Sequence, residues 1–260
     1  MLIPRFRSRL IIAPLLAGLL AGAVLAAAPA SAEPAGCSVL DLNPKTIEVG
    51  VDRQTPVVFD VVTDCPADSV VHWYLTFDQV GATGPYTGPI LANFVVPPGS
   101  RPISAPGGAY TWNVTQYPYA GPYRVTVNAF LGDDADNIDL PRAVLPISVL
   151  HRTTFGTSFD ASPEPRRVGQ TININGRLTY ANWNTAGYDG LSANVMLQFR
   201  PAGSAAYQDV KLVSDNGSGA ATTVPATRTG SWRYFFPGDP ATGTAASYSR
   251  SDTVVVFRRR

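Results

Sequence analysis

One eight-residue pattern occurs twice in this chain and limits what it can fold into more than any other feature. Asn43-Pro-Lys-Thr-Ile-Glu-Val-Gly50 and Ser162-Pro-Glu-Pro-Arg-Arg-Val-Gly169 both read Asn or Ser, Pro, four residues, Val, Gly. An alternating apolar run follows each, Pro56 to Thr63 and Thr171 to Leu178. A second echo lies downstream: Gly121-Pro-Tyr-Arg-Val125 and Gly230-Ser-Trp-Arg-Tyr234 share Gly, any residue, an aromatic and Arg. The echoes keep their order and spacing, which predicts two copies of one small β domain. The length of 260 residues accommodates two.

The start of the chain reads as a secretory leader. Arg5, Arg7 and Arg9 precede an apolar stretch from Leu10 to Ala28, and Ala30-Ser31-Ala32 is a small-residue cleavage site before Glu33. The expected organisation is therefore a signal peptide over 1–32, a first domain over 33–150 and a second over 151–260. An uncleaved anchor is the competing reading, and the Ala-x-Ala site argues against it. Cys37 is no lipoprotein cysteine, since Pro34-Ala35-Gly36 puts no aliphatic residue three positions before it. Cleavage removes three arginines and leaves 17 basic against 19 acidic side chains, a net charge of −2. No basic face calls for nucleic acid, and no membrane span is expected after cleavage.

In the first domain, period-two alternation recurs. Val57, Phe59 and Val61 share a face; so do Val71, Trp73, Leu75 and Phe77, then Tyr110, Trp112 and Val114, then Tyr123, Val125 and Val127, then Leu145, Ile147 and Val149. Gly, Pro and Asp clusters punctuate the runs. Such short strands predict an all-β fold of two tandem immunoglobulin-like β-sandwiches, with Trp73 as the core tryptophan of the third strand. Cys37 and Cys65 lie 28 positions apart, with their midpoint in Gly50-Val51-Asp52, where turn chemistry is concentrated. Antiparallel strands folded about that turn place the two cysteines opposite each other. An exported chain then closes a disulfide within one sheet rather than across the sandwich. Residues Val80 to Gly108, rich in Gly and Pro, read as irregular, with one edge strand at Leu91 to Val96.

Leu150-His-Arg-Thr-Thr-Phe155 leaves almost no linker and predicts a stiff elbow. Beyond it the core pattern resumes at Ile172, Ile174 and Leu178, at Val195, Leu197 and Phe199, at Trp232, Tyr234 and Phe236, and at Val254 and Val256. Arg124 and Arg233 should point outward as solvated charges on equivalent strands. Ser162-Pro-Glu-Pro, Gly176-Arg-Leu-Thr179, Trp183, Tyr188-x-Gly190, Val195-x-Leu-Gln-Phe-Arg200 and Gly230-x-Trp-Arg-Tyr234 resemble a domain of secreted actinobacterial proteins with tandem immunoglobulin-like domains. Those proteins are mostly uncharacterised, and some carry a calcium-binding label. The resemblance covers the second domain well and the first loosely. It implies an immunoglobulin-like fold and an extracytoplasmic setting, and it brings no catalytic residues.

The residues for chemistry are few. His72 sits on the outward side of a core strand and His151 at the elbow, and no Gly-x-Ser-x-Gly elbow occurs. With the cysteines paired and the histidines far apart, a catalytic zinc site has too few ligands. The expectation is a protein that is not an enzyme. One acidic loop, Asp133, Asp134, Asp136 and Asp139, offers carboxylates of the kind calcium takes, although its spacing is not that of an EF-hand; the simpler reading is a soluble turn. Trp183 and Tyr188 lie between strands, where aromatics either stack on a ligand or fold back over the end of the core. The apolar spacing around them favours the plug, with Trp183 mostly buried. The sequence thus reads as a secreted, non-catalytic structural or adhesive protein of the cell envelope or extracellular medium. The alternative is an extracellular module for a carbohydrate or protein ligand, assisted by calcium if the acidic loop holds it.

Overall fold

The computed structural model describes residues 37–66, 69–80, 86–95, 103–132 and 138–258, with backbone alone for 86–95, 103–109 and 138. The predicted leader and its cleavage site lie outside the described residues. The first half contains β1 (Val39–Asn43), β2 (Thr46–Val49), β3 (Gln54–Thr63), β4 (Val70–Gln79) and β5 (Tyr86–Val95). It continues with β6 (Ile103–Asn113), β7 (Gly121–Leu131), β8 (Ile138–Asp139) and β9 (Ala143–His151). One sheet has the order β1-β3-β6; the facing sheet has the order β2-β9-β7-β4-β5, with β8 beside β7. Phe59 from β3, Trp73 and Phe77 from β4, Trp112 from β6 and Tyr123 from β7 are each fully buried between them. The ring of Phe77 lies edge-on to Trp112 at 5.3 Å, and Trp112 stacks on Tyr117 at 4.3 Å. Period-two alternation is what turns these aromatics of β3, β4, β6 and β7 to the same side.

The repeated Pro motif has a structural meaning that repeats with it. After Asn43 the chain leaves β3 and crosses to the opposite sheet, where β2 pairs parallel with the last strand of its domain, β9. Proline has no N–H to continue an antiparallel ladder, so a strand that reaches it must end or change partners. The first strand is therefore split between two sheets, where a plain hairpin was expected. The expected register survives: Val39 pairs with Thr63, Asn43 with Asp60, and the turn closes with Arg53 N–H donating to the Gly50 carbonyl at 3.2 Å. Cys37 and Cys65, just outside the paired segment, are joined by a disulfide within this sheet, with Cα atoms 4.5 Å apart.

The second half opens with β10 (Thr153–Thr154), β11 (Asp160–Ser162), β12 (Arg166–Arg167), β13 (Thr171–Gly176), β14 (Thr179–Asn182) and β15 (Gly187–Gly190). Then come β16 (Ser192–Pro201), β17 (Gln208–Asn216), β18 (Ala220–Pro225), β19 (Gly230–Phe236), β20 (Ser247–Tyr248), β21 (Asp252–Val254) and β22 (Val256–Phe257). After Ser162 the chain again meets proline, leaves β13, and β12 pairs parallel with the final described strand, β22. The main sheet runs β11-β13-β18-β17-β16-β19-β20, with β21 beside β19. It narrows to the single pair Asp215–Ala220 between β17 and β18, so its two halves share one core of Ile172, Ile174, Val195, Leu197, Trp232 and Tyr234. Both described halves are immunoglobulin-like β-sandwiches, and the described residues from Cys37 onward form one compact unit.

Within Val80 to Gly108 the expected edge strand is present, starting earlier than Leu91, and much of the stretch expected to be irregular is strand as well. Most of these residues belong to two long strands: β5 occupies the edge of one sheet and β6 pairs along the whole of β3. Their Gly and Pro fall at register breaks, between Trp73 and Leu75 on the β4 side and between Val58 and Asp60 on the β3 side. Bulged strands tolerate these residues, which mask the apolar alternation in the sequence.

Candidate functional site at the elbow

The two sandwiches are joined by more than a peptide bond. Only Arg152 separates β9 from β10, and its N–H donates to the carbonyl of Val49 at 2.9 Å while its carbonyl accepts from Ala181 N–H at 2.8 Å. His151 N–H donates to the Gly243 carbonyl at 2.7 Å, and Ala245 N–H returns a bond to the His151 carbonyl at 3.0 Å. Gly243 packs so closely on the first sandwich that a Cβ there would stand 2.5 Å from that of Ala120. Its positive φ of 73° also suits glycine.

Trp183 completes the joint. It lies in the turn between β14 and β15 and is 6% exposed. Its indole N–H donates to the Val49 carbonyl at 3.2 Å. Its ring, with Ala181, belongs to the hydrophobic core of the first sandwich. The expected plug over the end of its own domain is therefore corrected: Trp183 caps the other domain's core. The His151 ring lies 3.8 Å from it, centroid to centroid, with Tyr180 edge-on at 5.5 Å. His151 Nδ1 contacts the Ala181 carbonyl at 2.7 Å; a carbonyl only accepts, so the proton of the neutral ring sits on Nδ1. Burial pushes the imidazole below its ordinary value, and the Ala181 carbonyl opposes this in part.

Two clefts flank these rings. The smaller, about 330 Å³, is walled by Gln79 and Tyr119 of the first sandwich and by Asn182, Trp183 and Asn184 of the second. The larger, about 550 Å³, is walled by Ser192, Asn194, Phe236 and Asp239. His151, Tyr180 and Thr242 line both. Among the described residues, the smaller cleft is lined by no acidic, Lys or Arg side chain, and the larger by one carboxylate, Asp239. The side-chain oxygen of Gln79 is buried and accepts no hydrogen bond from the described residues. Gln79 and Tyr119 are not legible as site residues, because their partners across the cleft lie about sixty to a hundred positions away.

The other predicted residues fall elsewhere. Tyr188 is 42% exposed on β15, opposite Ala181, so it does not form one surface with the sealed Trp183. Asp133, Asp134 and Asp136 lie outside the described residues; Asp139 ends β8 and is exposed. Arg124 is exposed as expected. Arg233 is not a solvated charge: its guanidinium lies 3.8 Å from the Tyr207 ring and 4.1 Å from that of Tyr248, and its Nε–H donates to Gln198 at 2.8 Å. Cation–π contacts with both rings turn this charge into a clamp that holds the edge strand β20.

No family model matches the chain, and no curated protein matches it. Among solved structures it is similar to the fibronectin(III)-like modules of Clostridium thermocellum CbhA, at 14% identity and a TM-score of 0.35 over 85% of this chain and 94% of that one. It is also similar to the FN1–FN3 domains of chicken CNTN1, at 13% identity and a TM-score of 0.31 over 86% of this chain and 67% of that one. A chimeric titin Z1Z2 bearing a decorin peptide gives 10% identity and a TM-score of 0.25 over 86% and 94%. Likeness at this distance says nothing about function.

Proposed function

We propose that this chain is an exported, non-catalytic structural or adhesive protein of the cell envelope or extracellular medium, built as a stiff two-domain spacer. The observation that carries the reading is the fastened elbow. Backbone bonds from Arg152 and His151, the close seat of Gly243 and the indole of Trp183 all tie one sandwich to the other. Interdomain motion is the default where an interface is small and polar; here a tryptophan ring is sealed in the partner's core. The closed Cys37–Cys65 bond supports an oxidising compartment, and the leader-like start of the sequence supports export. His151 is occupied by a carbonyl and an indole, and His72 stacks on Phe130 at 5.2 Å, which favours structural roles for both.

Small-angle scattering on protein that begins at Glu33 tests the mechanical part. One rigid arrangement of the two domains should fit the data, and Trp183→Ala should broaden the distance distribution. A wild-type profile that only an ensemble of hinge angles can fit would defeat the spacer. Cell fractionation with intact-mass measurement tests export: processed chain in the envelope or medium is the expected result.

A further inference from the structure

The elbow clefts do more than fill space between two domains. We propose that they form a binding site for a neutral carbohydrate, with one sugar ring seated in the smaller cleft against Tyr119 and the rest of the glycan running past Tyr180 toward Asn194. Four observations point to that chemistry. The smaller cleft measures about 330 Å³ and the larger about 550 Å³, within the range of about 300–1,000 Å³ typical of small-molecule sites, which favour domain junctions. Two of the rings that line the smaller cleft, Tyr119 and Tyr180, are phenols, and Tyr119 is 49% exposed, so apolar surface is open to the flat face of a pyranose.

The polar groups between those rings are amides, from Gln79, Asn182 and Asn184. Amides both donate and accept, which is what matching a ring of hydroxyls requires. Asn182 already spends its Nδ2 on Asp189 and its Oδ1 on the turn, which fixes its orientation. Gln79 is the wall member supplied by β4 of the first sandwich. Among the described residues no Lys or Arg lines either cleft, and Asp239 lines the larger one, which disfavours anionic ligands. The backbone bonds across the elbow hold the walls in place before any ligand arrives, so little ordering cost remains at binding.

A ligand site is separate from a spacer role, because the joint is fastened by other groups; the scattering test and the binding test fail independently. The binding test titrates the full processed chain with cellohexaose, N-acetylated chitohexaose, xylohexaose and laminarihexaose, followed by calorimetry and tryptophan fluorescence. At least one should bind saturably below about 10 mM. Gln79→Leu and Tyr119→Ala should each weaken that binding by about tenfold or more. Should Tyr119→Ala fail to fold, Asn184→Ala on the opposite wall takes its place. No saturable binding of any of the four, binding that survives both variants, or preference for an anionic galacturonate hexasaccharide would each overturn the site.

Discussion

His151 is the residue at which the environment most changes a side chain's ordinary behaviour. Its ring is half-buried between Trp183 and Tyr180, with no acidic partner in hydrogen-bond contact. Burial therefore lowers its proton affinity in the folded state below the ordinary value of 6.5. The sign of the pH effect follows. The unfolded chain binds the proton more readily, so the stability this residue contributes is full above pH 6.5 and falls as pH drops below that value toward the lower folded-state titration. A melting curve measured from about pH 7.5 to 5.5 should show declining stability. His151→Gln, which keeps a donor for Ala181 without a titrating ring, should flatten the decline. An unchanged slope in the variant would place the titrating group elsewhere.

The strand pair β1–β3 and the hairpin β17–β18 show how sequence chemistry fixes single elements. Reducing Cys37–Cys65 should lower the stability of the first sandwich by about 3–4 kcal/mol, because the bond closes a loop of 28 residues in the unfolded chain. The second sandwich has no cysteine and should hold its own transition under reductant in calorimetry. In the hairpin, Asp215 is wholly buried. Its carboxylate accepts from Leu178 N–H and from Gly217 N–H, both at 2.8 Å, which satisfies the charge and pins the turn. That turn presses on Gly190, where a Cβ would lie 1.8 Å from the Gly217 carbonyl oxygen. Gly190→Ala should therefore cost about 1–3 kcal/mol in denaturant unfolding, as overpacking against backbone does. A neutral result would mean that the hairpin yields.

At the scale of the molecule, the boundary between the two cores does not coincide with the boundary between the two domains in sequence. Trp183 belongs by sequence to the second domain and by burial to the first. Trp183→Ala should cost about 3–5 kcal/mol, and the loss should appear in the unfolding transition of the first sandwich, the one broadened and lowered by reductant. Trp183→Phe keeps the apolar bulk and loses the bond to Val49, and should cost about 1 kcal/mol. A Trp183→Ala loss confined to the second sandwich's transition would contradict the assignment of its ring.

The sequence by itself determined everything that a local pattern can encode. Alternation decided which faces of β3, β4, β7, β13, β16 and β19 turn inward, because side chains switch sides at every residue of a strand. Cysteine spacing about a turn gave the disulfide, whereas the repeated proline reads along the chain only as a repeat, and that a strand changes sheets at each copy comes from the structure. Local pattern found the edge strand at Leu91 and the alternation around Trp112 but not the full length of β5 and β6, whose Gly and Pro are tolerated only by the bulged pairing with β4 and β3. It failed at Arg233, which depends on two tyrosines, Tyr207 and Tyr248, brought together by different connections. Above all, only the tertiary structure decided where Trp183 is buried and that Gln79 and Tyr119 face Asn182 and Asn184 across one cleft. Burial and unmet hydrogen bonds are properties of groups that meet in space, and no periodicity along a chain records which distant segment supplies the other half.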